Sequence, residues 1–167
     1  KMKNGITVEE NLVALIAKIG EKITIRRAVF FDNKDGSNFF YVHSSIEKNI
    51  GKIVSIIKIS GDVKGDIGKK LSMHISASSP ISLDKESLSK EIIDKELEII
   101  KAELQNSGKK ADLVDKIAKG KINKFISDNT LINQIWIMDP KKKVSDILKE
   151  NGIKIIDFVR YKVGEGV

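Results

Sequence analysis

The feature that most constrains how this chain can fold is a seam of apolar residues in its middle third. Ile93, Leu97, Ile100 and Leu104 follow one another at intervals of four, three and four residues. Apolar residues spaced in this way lie along one side of an α-helix and form the contact seam of a coiled coil. The seam predicts a long amphipathic helix, from about Ser87 onward, that must bury this side against a partner.

The expected partner is a second helix that follows directly in the chain. Asn106-Ser107-Gly108 interrupts the first helix, and a short connection makes two helices antiparallel neighbours. Gly120 lies inside the second helix, where glycine costs roughly 1 kcal/mol relative to alanine, so it predicts a close approach of the helices. The residues expected to face inward are Leu113, Val114, Ile117, Ala118, Ile122 and Phe125.

Charge separates this helical hairpin from the two parts of the chain that flank it. The 167 residues carry a net charge of +7. Residues 81–129 hold ten lysines and ten acidic residues and are therefore neutral. Residues 1–80 hold thirteen basic and eight acidic residues, and residues 130–167 hold seven and five. The split indicates a separate hairpin inserted over residues 81–129, with the two basic flanks forming one body.

The first flank contains a helix whose start and end are both marked. Thr7 and Glu10 are predicted to form a capping box, in which each side chain bonds the backbone N–H of the other residue. Gly20 stands where a residue in the left-handed conformation ends a helix. The apolar residues that share one stripe of this helix are Leu12, Leu15, Ile16 and Ile19.

Strand-like patterns follow this helix. Residues 23–31 and 39–45 are expected to pair as a β-hairpin, because Asp35-Gly36 in the polar run between them is a turn signal. Residues 52–60 are rich in isoleucine and valine and predict a further strand.

The remaining elements make the chain an α+β protein. Strands and helices on both sides of an all-helical insert predict antiparallel β-sheet subdomains with packed helices and an inserted, coiled-coil-like antiparallel hairpin. The other expected elements are a helix over residues 66–77, a strand over 135–138 ended by Asp139-Pro140, a brief helix through Val144, Ile147 and Leu148 capped at Asn151-Gly152, and a strand over 153–163.

Composition and motifs exclude several classes of function. Cysteine is absent, which excludes disulfides and thiolate metal sites. His43 and His74 have no carboxylate or cysteine at metal-ligand spacing, so no metal is expected, and His74 is interpreted as a core-edge residue. No phosphate-loop or serine-nucleophile motif occurs, and no segment approaches the roughly 20 apolar residues of a membrane span. Because these motifs are missing, we expect a non-catalytic protein without a cofactor. We also expect it to be cytoplasmic, because its first residues lack the apolar core of a signal peptide.

Five motifs spread over nearly the whole chain carry a resemblance to a known family. KIGEKITIRR occupies residues 18–27 and FVRYKVGEG occupies residues 158–166. Between them lie MHISASSP at 73–80, KGKINKF at 119–125 and MDP at 138–140. In this order and at this spacing they resemble translation elongation factor Ts of bacteria and organelles, the nucleotide-exchange partner of elongation factor Tu.

The resemblance implies a domain organisation and a function. The family has a core of two related α/β subdomains, with a helical hairpin inserted into the second. Residues 1–50 are then expected to end the first subdomain and start the second, residues 51–80 and 130–167 to complete the second, and residues 81–129 to form the hairpin. The family binds the GDP form of elongation factor Tu and distorts the surroundings of the nucleotide, so that GDP leaves and GTP enters.

Five residues at matching positions are expected to contact elongation factor Tu. Ile19 and Gly20 resemble the family's helix-end contact to the nucleotide-binding domain. His43 matches a histidine that touches the partner. Ile137 and Met138 resemble an apolar pair that packs on the partner's outer β-domain.

The sequence departs from the family pattern at both ends. Members normally carry a small helical domain, then a Thr-Asp-Phe-Val loop whose Asp and Phe insert near the nucleotide, and a tail helix after VGEG. These 167 residues contain none of the three. We therefore expect a fragment that can dock on elongation factor Tu with poor exchange activity.

Two other functions are compatible with the residues alone. An excess of basic residues gives electrostatic affinity for RNA, but the aromatic content is 5% and the basic residues are scattered among acidic ones, so no specific nucleic acid is expected. A dimerisation module is the other alternative, in which the seam from Ile93 to Leu104 pairs between two chains.

Overall fold

A computed structural model describes residues 2–107 and 111–166, which divide into two compact units. The first unit extends to Phe31 and the second starts at Asp32. The elements, in chain order, are α1 (Val8–Ile19), β1 (Ser37–Glu47), β2 (Ile50–Ser60), α2 (Ile67–Ser78), α3 (Lys90–Asn106), α4 (Ala111–Asn129), a 3-10 turn (Leu131–Asn133), α5 (Val144–Asn151) and β3 (Lys154–Lys162).

The first unit contains α1, and its predicted caps are confirmed. The Thr7 N–H donates to the Glu10 carboxylate at 2.6 Å, and the Glu10 N–H donates to the Thr7 hydroxyl at 3.1 Å. The backbone bond from Thr7 lowers the pKa of the Glu10 carboxyl below its ordinary value. Gly20 ends the helix with φ at 79°, and its N–H donates to the Ile16 carbonyl. None of the twelve residues of α1, all of which the structure describes, is buried.

The predicted strand over residues 23–31 is wrong. These residues have no regular secondary structure. The expected partner, β1, pairs with β2 instead. The β1–β2 hairpin turns at Lys48 and Asn49, and Asn49 adopts a positive φ of 65°, which asparagine tolerates better than most residues.

The three strands of the second unit form one antiparallel sheet of order β1-β2-β3 among the described residues. The strands predicted over residues 39–45, 52–60 and 153–163 are confirmed as β1, β2 and β3. Ile57 and Ile59 of β2 point to the same face and are fully buried, whereas Ile56, which directly precedes Ile57, lies on the other face and is only partly buried.

A β-bulge explains why apolar residues alternate imperfectly along the last strand. Lys58 pairs with Asp157 and Ile59 pairs with Ile155, so Ile156 is the extra residue of β3. Ile156 is 42% exposed as a result.

Helix α2 covers the inner face of β1 and β2. A buried polar contact joins the helix to the sheet: the hydroxyl of Ser55 on β2 donates to the Ser72 carbonyl at 2.6 Å and lies 2.9 Å from the Ser76 hydroxyl. The apolar core on this face, which we name the sheet core, consists of Ile57, Ile59, Leu71, Ile75, Leu131, Trp136, Val144, Ile147 and Ile153.

Helices α3 and α4 pack against each other and have a core of their own. Four residues join two long helices that pack side by side, so the helices run antiparallel. Among the seam residues, Ile100 and Leu104 are each 4% exposed, and Ile93 and Leu97 pack on the same core while partly buried. The buried members of this hairpin core are Leu88, Ile100, Leu104, Val114, Ala118, Ile122 and Ile126.

Two predictions about α4 are wrong. Leu113 is 49% exposed and does not face α3, because the inward stripe runs through Val114 and continues to Ile126. Gly120 is exposed, and a Cβ built on it would meet nothing within 4 Å, so it marks no close helix approach. The helix interruption predicted at Asn106-Ser107-Gly108 agrees with the end of α3 at Asn106, while Gly108 lies outside the described residues.

The same substitution is expected to have opposite effects in two helices. Gly120→Ala should stabilise the chain by about 0.5–1 kcal/mol, because the site is open and alanine favours a helix interior. Gly68→Ala should destabilise it by about 1–3 kcal/mol, because the new methyl group would overlap the ring of Phe39. Urea denaturation followed by far-UV circular dichroism measures both changes. Shifts of the same sign would contradict the assignment of Gly68 as a close-packing residue.

Candidate functional site

The apolar residues 135–138 form a turn and not the strand that their composition predicted. We name residues 134–143 the Trp136 loop. The Trp136 N–H donates to the Lys142 carbonyl at 2.8 Å, and the Asp139 N–H donates to the Trp136 carbonyl at 3.1 Å, so the chain doubles back on itself. Pro140 has no N–H for a ladder and favours such a turn. Four apolar residues in a row are thereby divided between the core and the surface.

Trp136 is the one apolar residue of this run that enters the sheet core. Its side chain is 4% exposed, whereas Ile137 and Met138 are 44% and 41% exposed. Ile135, two residues before Ile137, is 60% exposed. The loop is therefore held by the buried indole and presents Ile137 and Met138 together at the surface.

A buried histidine on α2 lies behind the loop. The His74 side chain is fully buried and stacks on Trp136, with 5.2 Å between ring centroids and 25° between ring planes. His74 Nε2 lies 2.9 Å from Gln134 Oε1, and the Ile137 N–H donates to His74 Nδ1 at 3.4 Å. Burial lowers the pKa of the imidazole below its ordinary value, although the bond to Gln134 opposes this shift. The histidine is therefore neutral at physiological pH.

Gln134 joins the loop to the ends of two helices. Its amide Nε2 donates to the carbonyl of Ser78, at the end of α2, at 3.1 Å, and to that of Asp128, near the end of α4, at 2.7 Å. The Val144 N–H donates to the Gln134 carbonyl at 3.0 Å, where α5 begins. Gln134 thus fixes the loop where the hairpin returns to the sheet core.

A groove of about 430 Å³ lies beside the exposed pair and opens to solvent. Ile137 belongs to its wall, and His43 on β1 stands within the same wall. The structure therefore brings two residues that the sequence predicted as contacts, 94 positions apart in the chain, to one surface depression. The complete lining is Tyr41, His43, Ile53, Met73, Ser76, Ala77, Ile137 and Arg160.

The polar groups of the groove are mostly engaged within the chain. The Tyr41 hydroxyl lies 3.3 Å from His43 Nδ1. Arg160 is 10% exposed; its Nε donates to the Ser76 carbonyl at 3.2 Å and its Nη1 to the Glu165 carboxylate at 2.9 Å. Because its guanidinium charge is compensated, the groove offers an apolar surface with an exposed imidazole at its edge.

The other two predicted contact residues belong to the first unit. Ile19 is 51% exposed at the last position of α1. Gly20 follows it in the left-handed conformation, and a Cβ there would meet nothing within 4 Å. An exposed apolar residue at a helix end is open to a partner, as the resemblance requires.

Sequence reasoning missed the residues that hold the site in place. His74 was interpreted as a core-edge residue, yet it is fully buried and contacts the loop backbone. Gln134 was not singled out, because a glutamine carries no periodic signal. Tyr41 could have been found, since it precedes His43 by two positions and must share its face of the strand.

Two features are absent from the described part of the chain. Across residues 2–107 and 111–166, no group of three or more His, Cys, Asp or Glu side chains is arranged to hold a metal ion. Within the same part of the chain, no helix has both the length and the apolar character that crossing a bilayer requires.

The neutral state of His74 predicts that the second unit loses stability in mild acid. The unfolded chain takes up a proton near pH 6.5, whereas the folded imidazole resists protonation. Stability should therefore be complete above about pH 6.5 and decline as the pH falls from there toward the folded pKa. Urea denaturation between about pH 7.5 and about pH 5, followed by Trp136 fluorescence, measures the decline. A His74→Gln variant that declines just as steeply would assign the effect to other groups.

Comparison with known proteins identifies the family to which the chain is similar. The family model described as Elongation factor TS matches residues 1–165. The proteins named Elongation factor Ts from Methylococcus capsulatus and Acinetobacter baumannii are 38% and 36% identical to this chain over 167 residues, all of it. The one from Gluconobacter oxydans is 32% identical over 171 aligned positions.

The aligned region covers only part of these relatives. It spans 55%, 54% and 57% of the Methylococcus, Acinetobacter and Gluconobacter proteins, respectively. The chain therefore spans about half the length of the curated relatives it matches. On the evidence of the family model and of these relatives, the chain belongs to the elongation factor Ts family of translation factors.

Proposed function

We propose that this chain binds elongation factor Tu in its GDP form and promotes the release of the nucleotide. The proposal rests on membership of the elongation factor Ts family. It includes a cytoplasmic location, no cofactor and no catalytic step of the chain's own, because the factor would act through binding alone.

The observation that carries the proposal is the surface formed by the Trp136 loop and the adjacent groove. Ile137 and Met138 are adjacent, apolar and more than 40% exposed, on a loop that hydrogen bonds and a buried indole hold in place. Apolar anchors presented on a rigid support are typical of the centre of a protein interface. His43 shares the groove wall with Ile137 and would widen the contact.

Exchange follows from binding by thermodynamic linkage. If the bound chain weakens the affinity of elongation factor Tu for GDP by some factor, GDP must weaken the binding of the chain by the same factor. Nucleotide entry then releases the chain, and the cycle can repeat without any covalent step. The acceleration of GDP release depends on how differently the chain binds the GDP-bound and nucleotide-free forms of elongation factor Tu, and not on how tightly it binds either form.

Release of labelled GDP from elongation factor Tu, with and without these 167 residues, tests the proposal when combined with a direct binding measurement. We expect binding with only slow acceleration of release, because the Asp-Phe insertion of the family pattern is not contained in these residues. Heat-denatured chain at the same concentration is the control for non-specific release. Absence of both binding and acceleration would contradict the function.

We further propose that the α3–α4 seam works within one chain and does not join two. Ile100 and Leu104 are already buried against α4, so pairing them with a second copy would require the hairpin to open. Sedimentation equilibrium over a range of concentrations should give the monomer mass. A dimer mass would instead favour the dimerisation module, and binding of RNA that falls steeply with salt would favour the nucleic-acid alternative.

A further inference from the structure

We infer that His74 is the positioning residue of the interaction surface: its neutral ring ties the backbone of Ile137 to α2 and so sets the direction in which Ile137 and Met138 point. The inference deepens the proposed function and rests on it, because the importance of the pair depends on binding to elongation factor Tu. It concerns a residue that would not touch the partner and would act through the loop.

The hydrogen bonds of His74 define one tautomer. Gln134 uses its amide nitrogen on two backbone carbonyls, so its Oε1 faces His74 as an acceptor. His74 Nε2 must then carry the proton and donate it at 2.9 Å. The other ring nitrogen, Nδ1, is left with a lone pair, and the Ile137 N–H donates to it. The Gln134 amide thus selects the tautomer in which Nδ1 can accept the hydrogen bond from the Ile137 N–H.

The exposed pair cannot orient itself by burial. With 44% and 41% of their surfaces in solvent, Ile137 and Met138 gain less from packing than the buried Trp136 does. Their direction is therefore set by the backbone of the turn. The bond from the Ile137 N–H to Nδ1 holds this backbone on the side of α2, while stacking of His74 on Trp136 holds the preceding residue.

The chemistry of this position favours histidine over other buried residues. One ring has to donate to an amide oxygen, accept from a backbone N–H in another direction and present a flat face to an indole. Charging the ring would turn Nδ1 into a donor facing another donor, and burial disfavours that form. The geometry alone, two hydrogen bonds and one ring stack, therefore requires a neutral imidazole.

Two substitutions separate the roles of the two ring nitrogens. Asparagine places its side-chain oxygen near the position of Nδ1, so His74→Asn can still accept from the Ile137 N–H. Glutamine places its amide near Nε2, so His74→Gln keeps the contact with Gln134 and loses the acceptor at Nδ1. Both remove the stack on Trp136 and both put a neutral amide in the same site, which makes them matched controls for each other.

The first readout is independent of elongation factor Tu. Nitrogen-15 NMR of the unmodified chain is expected to show His74 as the Nε2–H tautomer, and hydrogen exchange should show protection of the Ile137 amide. In His74→Gln the exchange of this amide should become about tenfold faster, while His74→Asn should retain most of the protection. An Nδ1–H tautomer, or an Ile137 amide that is unprotected in the unmodified chain, would overturn the inference even if His74→Gln failed to fold.

The second readout is affinity for elongation factor Tu, measured for variants whose folding circular dichroism has established. We expect the dissociation constant of His74→Gln to rise about tenfold and that of His74→Asn to rise clearly less. Equal affinities of the two variants would overturn the positioning role and leave His74 as a packing residue. If the unmodified chain did not bind at all, the proposed function would fail, while the NMR result would still decide whether His74 holds the loop.

Discussion

Aspartate in place of both Ile137 and Met138 is expected to raise the dissociation constant of the complex with elongation factor Tu about a hundredfold. Each substitution removes an exposed apolar anchor and brings a charge into a contact that should be free of water. The fold should remain intact, because both side chains are already more than 40% exposed. Isothermal titration calorimetry with the GDP form of elongation factor Tu measures the change.

A matched variant distinguishes loss of the site from a general effect of negative charge. Ile99 on α3 and Leu113 on α4 are 46% and 49% exposed, and neither belongs to the Trp136 loop or the groove. The double variant Ile99→Asp, Leu113→Asp should therefore bind as the unmodified chain does. Unfolding of the Ile137→Asp, Met138→Asp variant would place these residues in the core and contradict the assignment of the site.

Truncation of Ile57 to alanine is expected to destabilise the second unit by about 2–5 kcal/mol. Ile57 is fully buried at the centre of the sheet core, so the substitution removes apolar contacts and leaves a cavity that its neighbours fill only in part. Trp136 belongs to the same core and is the single tryptophan of the chain, so its fluorescence during urea denaturation reports directly on this unit.

The adjacent residue of the same strand provides the control. Ile56 lies on the other face of β2 and is only partly buried, so Ile56→Ala should cost clearly less than Ile57→Ala. The two isoleucines have the same intrinsic strand propensity, which leaves burial as the difference between them. A larger loss for Ile56→Ala would mean that the register of β2 is shifted by one residue.

The helices were predictable because their information is local. The capping box of Thr7 and Glu10, the left-handed glycine after α1 and the glycine that caps α5 are contained in a few neighbouring residues. The seam from Ile93 to Leu104 is likewise a periodic signal, and its residues face α4 as such a seam requires. Side-chain direction in a helix follows from spacing alone, so these elements needed no knowledge of the rest of the fold.

The errors occurred where a segment's state depends on distant partners. Residues 23–31 have a strand-like composition but no regular secondary structure, since β1 pairs with β2, and residues 135–138 have the same character but fold into a turn around Trp136. Gly120 looked like a packing glycine, whereas Gly68 is the one whose Cβ would overlap a ring. Composition indicates which secondary structures a segment can adopt, and the tertiary contacts of the segment determine which of them it does adopt.

The sequence by itself determined the α+β class, the neutral helical pair between basic flanks, and the family, because these depend on periodicity, charge and ordered motifs along the chain. Only the tertiary structure decided that His43 and Ile137 share a groove and that His74 and Gln134 hold the loop beside it. Such a site consists of hydrogen bonds and contacts between residues about 60 or more positions apart, and no local pattern in the chain specifies which of them meet.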